Sequence, residues 1–111
     1  MFRLNCLVLI FCLSSSYVYA TDATSLSATR QTELQHLLKH DCGSCHGMTL
    51  KGGLGTPLLP KNLAHLSIEA IQASILHGRA GTAMPGWKAM LSTEDAHWLA
   101  IQLKQGTLIN D

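Results

Sequence analysis

Apolar residues recur at helical spacing in three places along the chain, and a glycine- and proline-rich stretch without any period separates the first from the second. Leu34, Leu37 and Leu38 stand at i, i+3 and i+4, which predicts an amphipathic helix from near Thr29 to Lys39 or His40. The stretch GMTLKGGLGTPLLPKN that follows carries Gly47, Gly52, Gly53, Gly55, Pro57 and Pro60, and predicts a long loop. A second helix is predicted from Ser67, a good N-cap, with Glu69 in the first turn and Leu66 placed to staple against Ile71. It ends near His77, where Gly78 suits a left-handed terminal position. A third runs from Ser92, with Asp95 as its capping-box partner, to Lys104 and the terminal Gly106; Ala96, Leu99, Ala100 and Leu103 form its stripe. No segment alternates like a strand and no internal repeat occurs, so the expected class is all-α.

The first twenty residues follow a different pattern. Arg3 precedes an apolar run, Leu4 to Leu13, too short to span a bilayer, and Val18-Tyr19-Ala20 resembles a small-residue cleavage site. This layout predicts a signal peptide over 1–20, removed on export, then a Ser-, Thr- and Ala-rich arm over 21–28 and one domain over 29–108. An uncleaved anchor is the alternative; a lipoprotein anchor at Cys12 is disfavoured by the bulk of Phe11. Loss of the signal removes Cys6, Cys12 and Arg3, leaving Cys42 and Cys45 as the only thiols and a formally neutral chain. Clustered positive charge of the kind that binds nucleic acid or anionic membranes is absent. Trp87 and Trp98 would be the only aromatic residues left, and so small and aromatic-poor a domain calls for a staple such as a metal, a disulfide or a buried cofactor.

Cys42 and Cys45 belong to CGSCH, with His46 directly after the second thiol. A thioredoxin-like site needs Cys-x-x-Cys after a strand, and here a helix precedes it. Structural zinc needs a second close-spaced pair, and His65, His77 and His97 are scattered. C-x-x-C-H is the attachment pattern for c-type haem: two thiols at this spacing each bond one vinyl group, and the next residue is held under the iron. Cys42 and Cys45 would form the thioethers and His46 the proximal ligand, and the long loop would wrap the flat cofactor. The candidate sixth ligand is Met84 in GRAGTAMPGW, outside every apolar stripe, with His77 as runner-up; Met48 lies too close to His46 to reach the opposite face. His36, His40, His65 and His97 are expected at the surface or partly buried.

The order of helix, CxxCH, glycine- and proline-rich loop, helix, Met-Pro-Gly-Trp and terminal helix resembles the class I c-type cytochromes over nearly all of residues 29–105. More narrowly, CGSCHGMTLKGGLGTPLLP with ILHGRAGTAMPGW is similar to the NirC-type cytochromes, encoded beside the cytochrome cd nitrite reductase of denitrifying bacteria. The resemblance implies three to four helices around one haem c, bound through Cys42 and Cys45, with His46 and Met84 as axial ligands. It implies that a loop carbonyl orients His46. The family often has Gly-Pro-x-Leu there, whereas this chain has Gly55-Thr56-Pro57-Leu58, so Thr56 and Pro57 both stand as candidates. Trp87 is expected near the haem edge and Trp98 where the last helix crosses the first; Arg79 and Lys51 are expected as contacts to the haem propionates or to a partner.

With both axial positions filled, no catalytic residue is expected, and outer-sphere electron transfer is the favoured role. The implied setting is the periplasm, and the implied partners are cytochrome cd nitrite reductase or the proteins that mature its d-type haem. A general periplasmic shuttle to another reductase or an oxidase is the nearest alternative. Other readings are a gas sensor or haem enzyme in which Met84 is displaced, and an interaction module stapled by haem. A monomer is the default.

Overall fold

The computed structural model describes residues 25–108. The expected signal peptide and residues 21–24 of the arm lie outside the described residues. All regular structure within them is helical: α1 (Ala28–Leu37) runs through a π-helical turn, Leu38–Cys42, into the one-turn α2 (Gly43–His46). Then come α3 (Pro60–Leu63), α4 (Ile68–His77) and α5 (Thr93–Gln105).

The caps explain where these helices begin. Ser27 accepts a hydrogen bond from the Arg30 amide and Ser67 one from the Ala70 amide, each at 3.1 Å, so each supplies one of the acceptors that a first turn lacks. At α5, Ser92 and Asp95 form the reciprocal capping box expected of them, both bonds at 3.0 Å. Gly106 closes the same helix in the left-handed conformation (φ 73°, ψ 18°). Gly78 differs from expectation: its φ is +69° but its ψ is −167°, outside the left-handed helical region, while its amide still donates to the Ser74 carbonyl.

Two further differences are local. The first helix does not stop at His40. It widens by one residue per turn over Leu38–Cys42 and carries on to His46, a discontinuity of the type that recurs at functional sites. The glycine- and proline-rich loop ends in α3, where Pro60 at the first helical position has a preset φ and no amide proton to leave unpaired. Four residues are too few for a periodicity to register.

The core gathers Leu34 and Leu38 from the first helix, Ile71 and Ile75 from α4, and Ala96, Leu99, Ala100 and Leu103 from α5. α4 packs along α5, and Ala96 and Ala100 of α5 are fully buried. Leu50, Leu63 and Leu91 pin the connecting segments to this core. Leu50 does so at φ 58°, an unusual backbone for a bulky residue, and its near-complete burial at 2 % exposure offsets that strain. Lys104 donates to the carbonyls of Ala64 and Leu66 and so satisfies the chain where α3 gives way to α4.

One long-range polar contact joins the first and last helices. Arg30 presents a fork to Asp95, with Nε donating to Oδ1 at 3.0 Å and Nη2 to Oδ2 at 2.6 Å, while Asp95 also caps α5. The Asp95 side chain is only 6 % exposed, so the bidentate pair and the cap are what make its burial tolerable. The Arg30 guanidinium, reinforced by the Ser92 amide and opposed by burial, holds the Asp95 carboxyl below the usual carboxylate range. The stabilisation is therefore present above the unfolded carboxylate pKa of about 3.9 and is lost as pH falls through the lower folded value. Asp95→Asn is expected to cost roughly 2 kcal/mol at neutral pH. In thermal unfolding of the haem-bearing protein, the gap between parent and variant is expected to close as the pH drops below about 4.

Candidate functional site

Cys42 ends the π-helical turn, and Cys45 and His46 lie in α2, so the residues of CGSCH are displayed from one short helical segment. Cys42 is half-buried and Cys45 exposed. Burial, aided by the neighbouring Asp41 carboxylate, pushes the Cys42 thiol up to about 11. A dithiol redox site needs a thiolate stabilised near neutral pH, and the environment of Cys42 works against one there.

After His46 the chain turns and comes back over the segment it has just left. The Gly52 amide donates to the His46 carbonyl at 2.8 Å and the Gly55 amide to the Cys45 carbonyl at 2.7 Å; farther on, the Leu58 amide donates to Leu50 at 2.9 Å. This path brings the Thr56 carbonyl to 2.7 Å from His46 Nδ1. A carbonyl only accepts, so the ring proton sits on Nδ1 and Nε2 is left with its lone pair free. The orienting acceptor is thus Thr56, not Pro57. Gly55 is required by the same contact: a Cβ there would lie 2.8 Å from His46 Nδ1 and 2.9 Å from Cε1, inside van der Waals contact.

Met84 is carried by a second irregular segment, folded against the end of α4. The Arg79 amide donates to the Met84 carbonyl at 3.3 Å, and the Thr82 hydroxyl donates to Arg79 at 2.7 Å while accepting from the Met84 amide at 3.3 Å. The Trp87 and Lys88 amides cap the carbonyls of Ile75 and Leu76. At Gly78 a Cβ would come within 2.6 Å of the Met84 carbonyl, so a glycine there lets the loop close down on the helix.

Cys42, Cys45, His46 and Met84 all line one cavity of about 760 Å³, within the usual range for small-molecule and cofactor pockets. Its walls are mostly aliphatic, from Leu38, Leu58, Ile71, Ile75, Leu99 and Leu103, and Trp87 also faces it. Two thiols, an imidazole whose Nδ1 is engaged so that Nε2 is the nitrogen left to bind a metal, and a thioether on the same apolar cavity form a donor set suited to haem iron. Arg79 and His65 line it too. Lys51 is not on its wall, nor is His77, which is exposed, and Trp98 packs on the core from the far side, beside Gln72 and Ile101. His36, His40 and His97 are exposed, as expected; the rings of His36 and His40 meet at a tilt of 40°, their centroids 4.3 Å apart. The part of His65 in the wall was not foreseen, because its position depends on α3. Among the described residues no group of three or more His, Cys, Asp or Glu side chains is arranged to hold a metal ion.

The domain is that of a c-type cytochrome. Residues 29–101 match the family described as cytochrome c oxidase, cbb3-type, subunit III. The chain is 51 % identical over 73 residues to cytochrome c55X of Paracoccus denitrificans, covering 66 % of this chain and 71 % of that one. Against cytochrome c55X of Pseudomonas aeruginosa it is 48 % identical over 81 residues, 73 % of this chain and 68 % of the other. A solved structure of the c-type cytochrome NirC superposes with a TM-score of 0.75 at 46 % identity, covering 77 % of this chain and all of that one. Part of a larger protein is also similar: dihydro-haem d1 dehydrogenase NirN, solved in complex with DHE, gives a TM-score of 0.60 at 37 % identity over 64 % of this chain and 15 % of its own. The protein belongs to the cytochrome c55X, or NirC-type, family. Membership implies covalent haem c and the role of an electron carrier rather than an enzyme. No helix among the described residues is long and apolar enough to cross a membrane.

Because the Gly55 position abuts the imidazole, Gly55→Ala is expected to cost about 2 kcal/mol by overpacking. Thermal unfolding of the haem-bearing protein measures the loss, and displaced His46 ring resonances in its NMR spectrum locate it.

Proposed function

We propose that this protein is a periplasmic monohaem cytochrome that carries single electrons in denitrification. In this reading the thiols of Cys42 and Cys45 would anchor the haem by thioether bonds, and His46 and Met84 would supply the ligands to its iron. The single observation that carries it is the His46 ring, fixed by the Thr56 carbonyl with Nε2 free, on a cavity that Met84 also lines. A haem held there supplies a one-electron iron couple, and methionine ligation favours the reduced form relative to two histidines. The chain's part is to hold both ligands on hydrogen-bonded segments, so that neither has to move between redox states. Leu58, Ile71, Ile75 and Leu99 keep water off the cavity walls.

Docking in this proposal uses the side of the cavity where Cys45 is exposed. Leu54 projects from the loop there, 95 % exposed, on a backbone tied down by the Gly53 amide to Gly55 and the Gly55 amide to Cys45. An apolar side chain held out on a firm loop suits brief contact with a partner, and redox encounters of this kind bury little area. Likeness to a domain of dihydro-haem d1 dehydrogenase favours service to d-type haem maturation, since such a dehydrogenase has electrons to pass on and a carrier built like its own domain is a suitable acceptor. Delivery of electrons to cytochrome cd nitrite reductase is the other branch of the same proposal.

Absorption spectra of the haem-loaded protein are expected to show sharp reduced c-type bands and the weak near-infrared band of methionine-ligated ferric haem. Met84→Ala is expected to abolish the near-infrared band; a variant that kept it would remove Met84 from the site, and rapid carbon monoxide binding by the reduced parent would favour the sensor reading. In stopped-flow mixing with dihydro-haem d1 dehydrogenase and with nitrite reductase, Leu54→Lys is expected to lower the second-order rate for the true partner by roughly tenfold, as loss of about 1.4 kcal/mol of docking energy.

A further inference from the structure

Met84 is tied into the fold through both of its backbone polar groups. Its amide donates to the Thr82 hydroxyl at 3.3 Å, and its carbonyl accepts from the Arg79 amide at the same distance. The Thr82 hydroxyl in turn donates to the Arg79 carbonyl at 2.7 Å, so its one proton is committed and its oxygen is left to accept from Met84. The Thr82 amide donates to that carbonyl as well, at 3.1 Å, and closes a four-residue turn from Arg79 to Thr82. Gly81, third in the turn, has φ +77°, a conformation that favours glycine there. The segment from Arg79 to Met84 is thus closed on itself by hydrogen bonds, and the one side chain taking part in these bonds is that of Thr82.

The two sides of Met84 are held unequally. Beyond it, the Trp87 amide donates to the Ile75 carbonyl at 2.9 Å and the Lys88 amide to that of Leu76 at 3.1 Å, which fastens the chain to α4. The contacts that reach Met84 itself are the two at 3.3 Å, long for hydrogen bonds of this kind. Arg79, Thr82 and Ala83 are exposed, so water competes for those bonds. Pro85, which follows Met84 directly, has no amide proton with which to add a tie. Without its hydroxyl, residue 82 would leave the Met84 amide with no acceptor in this segment and the Arg79 carbonyl with one donor in place of two.

Resting on the cofactor reading above, we infer that the Thr82 hydroxyl is the latch of the sixth iron ligand and sets how often Met84 lets go. Thr82 is a positioning residue, since it acts through the backbone of Met84. With the latch closed, Met84 stays in place while an electron arrives and leaves. With it open, Met84 yields its position to an outside ligand, so this hydroxyl favours the behaviour of a carrier over that of a ligand-binding haem protein.

The test is the binding of imidazole to the ferric, haem-loaded protein, followed by stopped flow. At saturating imidazole the observed rate levels off at the rate at which Met84 leaves. Thr82→Val, which keeps the branched shape and lacks the hydroxyl, is expected to raise that plateau about tenfold, as one hydrogen bond is lost. Thr82→Ser, which keeps the hydroxyl, is expected to stay within about twofold of the parent. Both are expected to retain the near-infrared band when no imidazole is present. Ser27→Ala, which removes the cap of α1 outside this loop, is expected to lower thermal stability and leave the plateau where it was. An unchanged plateau in Thr82→Val overturns the inference. So does an equal rise in Thr82→Ser or in Ser27→Ala, which would trace the effect to the methyl group or to general loosening of the fold. Should Thr82→Val fail to take up haem, Thr82→Ala takes its place. A parent protein without the near-infrared band overturns the cofactor reading itself, whatever the variants do.

Discussion

Leu38, Leu63, Ile71, Ile75, Leu99 and Leu103 belong to the hydrophobic core and to the cavity wall at once. A small domain has few large apolar side chains, and this one spends a large share of them facing a space that no side chain fills. Polar ties join the elements that carry this wall: the bidentate Arg30 to Asp95 pair, the capping box at α5, and the loop that refolds on CGSCH. A bound, covalently attached tetrapyrrole would complete the core, so that folding and cofactor attachment are thermodynamically one problem in such a chain.

The two irregular segments are built on the same plan from different parts. Each leaves a helix end, makes backbone hydrogen bonds back to that end, and uses a glycine where a Cβ would collide. One carries the carbonyl that orients His46, the other carries Met84. Irregular backbone here is well tied down despite having no repeat, which suits groups that must stay still while charge changes nearby.

How far the sequence could be read depended on the range of each interaction. Ser67, Ser92 and Asp95 act within one helical turn, so their roles were legible from spacing alone, as was the stripe Ala96, Leu99, Ala100, Leu103. The choice between Thr56 and Pro57 was not, because it depends on how Gly52 and Gly55 bond back to residues several positions earlier. Arg30 and Asp95 are 65 residues apart, and nothing near either one announces the other. The short α3 left no periodic trace, and with it the places of Asn62 and His65 on the cavity wall stayed hidden.

The acceptor for His46 is a backbone carbonyl, and this has an evolutionary side. Position 56 can change its side chain freely without touching the hydrogen bond, so a family pattern with proline there and a chain with threonine are equivalent where it matters. What has to be inherited is the route of the loop, set by its length and by the glycines that let it pass close to the imidazole. A change of side chain at position 56 leaves that bond in place, whereas a Cβ at Gly55 or a change in the loop's length would disturb it. A designer wishing to alter the electron density on that histidine would therefore edit the spacing between His46 and Pro57 before editing any single residue in between.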